Sequence, residues 1–335
     1  MQMSAKPVKD KEKHMLTEYA KVYKPFHYPQ FMDYANKHEL IHWSEEEVDL
    51  GDDVSQWNSG AINEVEKKFV LQIMRLFTQT DVQVGQNYCD LFIPVFKNNE
   101  VRCMLLAFAA REGIHQRAYA LFTDTIGLPE HIYSEFLEYD EMAAKISMMQ
   151  DNKIDTQQNI AKALAQTVCN EGMSLFSSFV MLLNFQRFGK MKGLCSITEW
   201  SLRDESQHVL GMSELFKQYC KENPQVLTDD FKLGVYQMYR DAVALEDAFI
   251  DDAFKLGSPE GITAMEVKQY IRFIANRRLV QLGFKDNWSG ITNPFPWLDW
   301  IVSEGQTNFF EATVSEYSVS GLKGKWNYGN RGSKF

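Results

Sequence analysis

Two short words, Glu112-Gly113-Ile114-His115 and Glu205-Ser206-Gln207-His208, decide how this chain of 335 residues is read. Each sets a carboxylate and an imidazole three positions apart, which on a helix puts both on one face, within reach of the same ion. One such word arises easily by chance. Two of them call for two further acids, each standing on the apolar face of another helix. Periodicity supplies both. Phe77, Asp81, Val84 and Tyr88 fall on one face at helical spacing, and so do Leu164, Val168, Glu171, Leu175 and Leu182. The first word lies on the stripe Phe108, Glu112, His115, Tyr119 and Phe122, and the second is followed on its face by Met212 and Leu215.

An isolated carboxylate on a core-facing stripe is expensive, so each of these acids needs a proton, a cationic partner or a metal. Asp81, Glu112, Glu171 and Glu205 together carry four negative charges, which two divalent ions balance. With His115 and His208 they form a set rich in oxygen and poor in nitrogen, suited to iron or manganese rather than to zinc. A Glu-x-x-His from each of two helices, with one acid from each of two others, is the ligand pattern of di-iron and di-manganese carboxylate bundles.

The composition agrees with such a bundle. With 45% hydrophobic residues, 19 Gly and 9 Pro, the sequence is an ordinary globular one poor in helix breakers, and an all-α fold with one core follows. The net charge of −10 and the lack of a Lys/Arg-rich stripe argue against nucleic acid and anionic membranes as partners. No apolar run reaches the roughly 18 residues that a membrane span needs. Met1 to His14 is polar and lacks the apolar centre of a signal peptide, so a cytoplasmic protein is expected. Cys89, Cys103, Cys169, Cys195 and Cys220 form an odd set without Cys-x-x-Cys spacing and read as reduced thiols. Walker A, Gly-x-Gly-x-x-Gly and Gly-x-Ser-x-Gly signatures are missing, which removes the usual nucleotide-cradle and serine-hydrolase readings.

Residues 1–60 show little periodicity and read as an irregular N-terminal arm with room for a short helix; it contains His42-Trp43-Ser44-Glu45-Glu46-Glu47-Val48-Asp49. A helical bundle over 61–284 follows. Its first long helix begins after Gly60 and passes Asp81 towards Tyr88, and a second runs from about Glu100 to Asp124. A third spans Pro129 to Met148, and a fourth, with Glu171 in its middle, runs from Thr156 to Phe188 with Gly189 as its C-cap. Ser196-Ile197-Thr198-Glu199 reads as a capping box opening the helix of Glu205 and His208, which closes at Asn223-Pro224. Two more helices reach from Thr228 to Leu256 and from Thr263 to Gly283. Residues 285–317 are rich in Gly, Asn, Pro and Trp and read as irregular, and 318–335 as a flexible tail.

In sequence order, Asp81, Glu112-x-x-His115-x-x-x-Tyr119, Glu171 and Asp204-Glu205-x-x-His208 resemble the small, radical-generating subunit of class I ribonucleotide reductase, a ferritin-like di-metal protein. The resemblance spans most of the sequence. It extends to the arm with Trp43, and to Glu311-Ala312-Thr313-Val314-Ser315-Glu316-Tyr317, similar to the family's mobile C-terminal tyrosine segment. It implies a buried site for two metal ions per subunit, iron first and manganese as an alternative, bound by Asp81, Glu112, His115, Glu171, Glu205 and His208. Dioxygen would be activated there and Tyr119 oxidised to a radical. The hole would then leave by way of His115, Asp204, Trp43 and later Tyr317 to a separate large subunit that reduces ribonucleotides. A homodimer is implied as well, as is docking of the large subunit by the tail, with Trp326, Tyr328 and Phe335 as apolar anchors.

Two positions depart from the family pattern. Ser201 stands one turn before Glu205, where many relatives carry an aliphatic residue near the radical, which implies a wetter radical pocket. The tail holds Lys323, Lys325, Arg331 and Lys334 and no acid, where acidic tails are common. Two other functions use a similar ligand set. A ferritin-type storage protein has no use for the Trp43 arm or the Tyr317 segment; a di-metal ligand-binding oxidase of the same superfamily is the nearer alternative. Tyr119 argues against the subclass with Phe at that position.

Overall fold

The computed structural model describes residues 15–150 and 152–298, and helices but no strands occur among them. The first 60 residues hold more helix than their weak periodicity indicates. α1 (Pro29–Leu40) starts with proline in its first turn, and α2 (Gly51–Ser59) stops at Gly60, whose φ of 85° suits a residue without a side chain. Between them Ser44 and Glu47 form a reciprocal capping box on the 3₁₀ turn Glu45–Glu47.

The bundle begins with α3 (Glu64–Gln86), opened by a capping box between Asn63 and Glu66. After α4 (Ile93–Val95) comes α5 (Asn99–Thr125), whose first turn is held by the Asn98 side chain on the Val101 N–H. The expected third helix is in fact broken. α6 (Ile132–Glu135) and α7 (Asp140–Gln150) are separated by a 3₁₀ turn at Phe136–Glu138. The fourth is divided too: α8 (Gln157–Cys169) passes through a π-helical segment, Asn170–Ser174, into α9 (Phe176–Leu183) and a 3₁₀ turn at Asn184–Phe188. A second π segment, Asn87–Phe92, prolongs α3.

α10 (Lys192–Glu222) corrects another expectation. It begins four residues before the Ser196 box, because the capping group comes from elsewhere in the sequence. Asp53 of α2 accepts from the Gly193 and Leu194 N–H groups at 2.8 and 2.9 Å, and Ser196 Oγ instead donates back to the Lys192 carbonyl. α11 (Asp229–Phe254) and α12 (Ala264–Gln281) complete the order.

α3 packs on α5, α5 on α10, and α10 on α8; α11 and α12 cover the far side of α8 and α9, and α1 lies along α5. The four inner helices are therefore the four that carry the acids of the sequence motif. All five cysteines are free thiols, and no described helix is long and apolar enough to cross a membrane.

Candidate metal centre

Each acid reaches the bundle axis for a local reason. Glu112 and His115 follow the α5 stripe of Val101, Met104, Leu105 and Phe108 into the interior, and Glu205 and His208 do the same on α10. Asp81 lies near the end of α3. Glu171 sits inside a π segment, where the i→i+5 bond adds a residue to the turn and redirects the side chains around it. Tyr88, in the other π segment, donates its hydroxyl to Glu171 Oε2 at 2.7 Å.

Side-chain oxygens and nitrogens of Asp81, Glu112, His115 and Glu205 lie within 4.8 Å of one another, and so do those of Glu112, Glu171, Glu205 and His208. Glu112 and Glu205 are common to both groups. All six residues are buried, the least so being 2% exposed. His115 Nδ1 is 3.5 Å from Glu112 Oε2 and 3.3 Å from Glu205 Oε1. His208 Nδ1 is 3.1 Å from Glu112 Oε1 and from Glu171 Oε2, and 3.4 Å from Glu205 Oε2.

Electrostatically this cluster is under tension as bare protein. Burial pushes the Asp81 carboxyl well up, with Glu112 and Glu205 adding to the rise, and burial lifts Glu171 to about 8. Burial disfavours charge on both imidazoles too, yet the surrounding carboxylates push His115 and His208 well up. Asp81 Oδ2, both oxygens of Glu112 and of Glu205, and His115 Nδ1 are buried without a hydrogen bond among the described residues. Six orphaned atoms converging in one dry place fit a pair of divalent ions, which would satisfy them together.

The outer nitrogens of the two imidazoles are also occupied. His115 Nε2 lies 3.2 Å from Asp204 Oδ2, and the same oxygen accepts from Trp43 Nε1 at 2.7 Å and from Arg111 Nη1 at 2.8 Å. Burial opposes the charge on Asp204, but the His115 bond and the Arg111 guanidinium hold it well below the usual carboxylate range. The Trp43 ring lies 6.0 Å from the His115 ring at 28°. Arg111 also donates to the carbonyls of His38 and Ile41, so the arm is fastened to the bundle where the site is.

Tyr119 is fully buried, with its ring edge-on to Phe77 at 4.4 Å. Its hydroxyl and Ser201 Oγ are both buried without a hydrogen-bond partner among the described residues. Burial and the nearby Asp81 push the phenol well above its ordinary value. Tyr317 and the tail, with Trp326, Tyr328 and Phe335, lie outside the described residues.

Sequence reasoning passed over His38 and Arg111, and took Tyr88 only as part of the Asp81 stripe. Arg111 had a signal: a buried Asp204 needs a cation, and an arginine directly precedes Glu112. His38 had none, and Tyr88 none beyond that stripe, since their partners, His208 and Glu171, lie 170 and 83 positions away.

Four carboxylates and two imidazoles gathered from the inner helices of an all-α bundle define a ferritin-like, metal-binding carboxylate protein. Residues 20–294 match the family model of the ribonucleotide reductase small chain, and the protein belongs to that family. Similar relatives include the probable ribonucleoside-diphosphate reductase small subunit of Invertebrate iridescent virus 3, 39% identical over 91% of this chain and 86% of its own length. The ribonucleoside-diphosphate reductase subunit beta of Chlamydia pneumoniae is 29% identical over 83% of this chain and 84% of its own length. Among solved structures, the ribonucleotide reductase R2 subunit from Clostridium botulinum superposes with a TM-score of 0.80 at 21% identity, covering 90% of this chain and 99% of that one. Streptococcus sanguinis dimanganese(II)-NrdF gives 0.72 at 18% identity, covering 86% and 99%.

Proposed function

We propose that this protein is the radical-generating small subunit of a class I ribonucleotide reductase, with Asp81, Glu112, His115, Glu171, Glu205 and His208 holding two metal ions. Iron or manganese suits this oxygen-rich set, and a dimanganese centre in a protein of the same fold supports including manganese. The metal pair, when bound, supplies oxidising equivalents obtained from dioxygen.

The protein's own residues do the rest. Tyr119 gives up an electron and its phenolic proton, and the apolar packing around its ring, Phe77 above all, keeps solvent from the resulting radical. Asp204, held ionised by Arg111, fixes His115 through its Nε2 and offers Oδ2 as the acceptor for the Trp43 indole proton. Trp43 is a residue that can pass on a one-electron hole, and Tyr317 continues that route to the large subunit. The tail of 318–335 docks the large subunit through Trp326, Tyr328 and Phe335, folding on contact. The active small subunit is a homodimer.

The observation that carries this reading is the unbroken series His115 Nε2, Asp204 Oδ2, Trp43 Nε1, which leads from the carboxylate cluster into the arm. Metal storage has no use for such a series. The test is anaerobic loading with ferrous iron, and with manganese in parallel, followed by oxygen, metal counting and electron paramagnetic resonance. A tyrosyl signal with about two metals per subunit, lost in Tyr119→Phe, is the expected result. Two metals without a tyrosyl signal in wild type would move the function to ligand oxidation, and no bound metal would remove the ligand assignment.

A further inference from the structure

Both imidazoles of the centre turn one nitrogen to the cluster of four carboxylates and the other away from it. On the His115 side the outer partner is the Asp204 carboxylate. On the His208 side it is another imidazole: His38 Nε2 lies 3.0 Å from His208 Nε2, with ring centroids 5.0 Å apart. Two imidazole nitrogens share a hydrogen bond only when one carries a proton and the other does not. His208 Nδ1 is the atom that faces Glu112 and Glu171, so its lone pair is the one open to an ion and its proton belongs on Nε2. His38 Nε2 is therefore the acceptor, and the proton of neutral His38 sits on Nδ1.

His38 itself is wholly buried, its ring stands edge-on to Phe108 at 5.1 Å, and Nδ1 has no hydrogen-bond partner among the described residues. A buried donor without a partner is unfavourable, and an apolar side chain would fill the same place against Phe108 without that penalty. Packing alone does not explain a histidine here; a lone pair aimed at His208 does.

We infer that His38 is a positioning residue for metal binding: by accepting the His208 Nε2 proton it selects the tautomer that presents Nδ1 to the ion on the Glu171 side. The inference rests on the two-metal reading of the centre. It makes the arm a grip on both imidazoles, through Asp204 with Trp43 on one and through His38 on the other.

The test uses the full-length metal-free protein, titrated anaerobically with Mn²⁺ while free Mn²⁺ is counted by electron paramagnetic resonance. Wild type, His38→Leu and His38→Gln are compared, with thermal unfolding of each metal-free protein. The glutamine carbonyl can accept the His208 proton; leucine cannot. His38→Leu is expected to bind one of its two equivalents about 10–100-fold more weakly at unchanged Tm, with the other equivalent unaffected and His38→Gln close to wild type. Wild-type binding of both equivalents by His38→Leu would overturn the inference, as would equal weakening in both variants or loss of both equivalents together with a lower Tm. A wild-type protein that binds no Mn²⁺ would instead remove the two-metal reading, and this inference with it.

Discussion

Trp43 and Asp204, 161 positions apart, are joined by a 2.7 Å hydrogen bond from the indole Nε1 to the carboxylate Oδ2, and both side chains are buried. The bond fastens the arm to α10 at the residue before Glu205. Removing either end has a different expected result, because Asp204 also neutralises Arg111 at 2.8 Å. Asp204→Ala strands a buried guanidinium and is expected to lower stability by about 3–5 kcal/mol in urea unfolding. Trp43→Phe leaves Arg111 and His115 paired, so the protein is expected to fold, bind metal and form its tyrosyl signal while turnover with the large subunit is lost. Retained turnover in Trp43→Phe would take Trp43 off the route.

Metal loading is expected to release protons. Burial holds Glu171 protonated up to about 8, and Asp81 is pushed up in the same way. For a carboxyl raised in the folded state, the stability it contributes to the metal-free protein is complete below its ordinary value near 4.5 and is lost as pH rises through about 8. A bound ion needs the ionised form and reverses that preference. Mn²⁺ affinity should therefore increase as pH rises through about 8. Calorimetry in buffers of different ionisation heat reads the protons released; a binding heat independent of buffer would contradict this.

Gly211→Ala is expected to strain the contact between α5 and α10. A Cβ there would stand 2.8 Å from Met104 Sδ and from two ring atoms of Phe108. Phe108 in turn lies against His208 at 4.4 Å between ring centroids, so it cannot move without disturbing the centre. A loss of about 1–3 kcal/mol, read as a lower Tm, together with weaker metal binding is the expected outcome. An unchanged Tm would mean that the two helices can separate freely.

Asp53→Ala removes the cap of α10. Its carboxylate accepts the Gly193 and Leu194 N–H groups, which otherwise have no partner within the helix. The expected loss is about 0.5–2 kcal/mol in chemical denaturation, with faster hydrogen exchange confined to the first turn of α10. Asp53→Asn, which keeps an accepting oxygen, should lose less.

Much of the site was legible because its information is local. The i, i+3 spacing of Glu112 with His115 and of Glu205 with His208 needs only the pitch of a helix, and Asp81 and Glu171 stand on stripes, Phe77 to Tyr88 and Leu164 to Leu182, that show at the same pitch. Boundaries were less legible. The Ser196 box carries the residues of a helix start but is overruled by Asp53, and the break between α6 and α7 falls where Phe136 and Tyr139 keep an apolar pattern through a 3₁₀ turn. The π segments at Asn87–Phe92 and Asn170–Ser174 leave no mark in sequence, because one additional residue in a helical turn changes the hydrogen-bond partner without changing composition.

By itself, then, the order of residues determined an all-α protein, its four inner helices and the carboxylates and imidazoles that those helices carry inward. Only the tertiary structure decided what stands behind them: Arg111 against Asp204, Tyr88 on Glu171 and His38 on His208. The physical reason is separation. A helical pattern repeats every few residues and can be read locally, whereas a hydrogen bond across 83 to 170 positions exists only once the arm and the helices have packed.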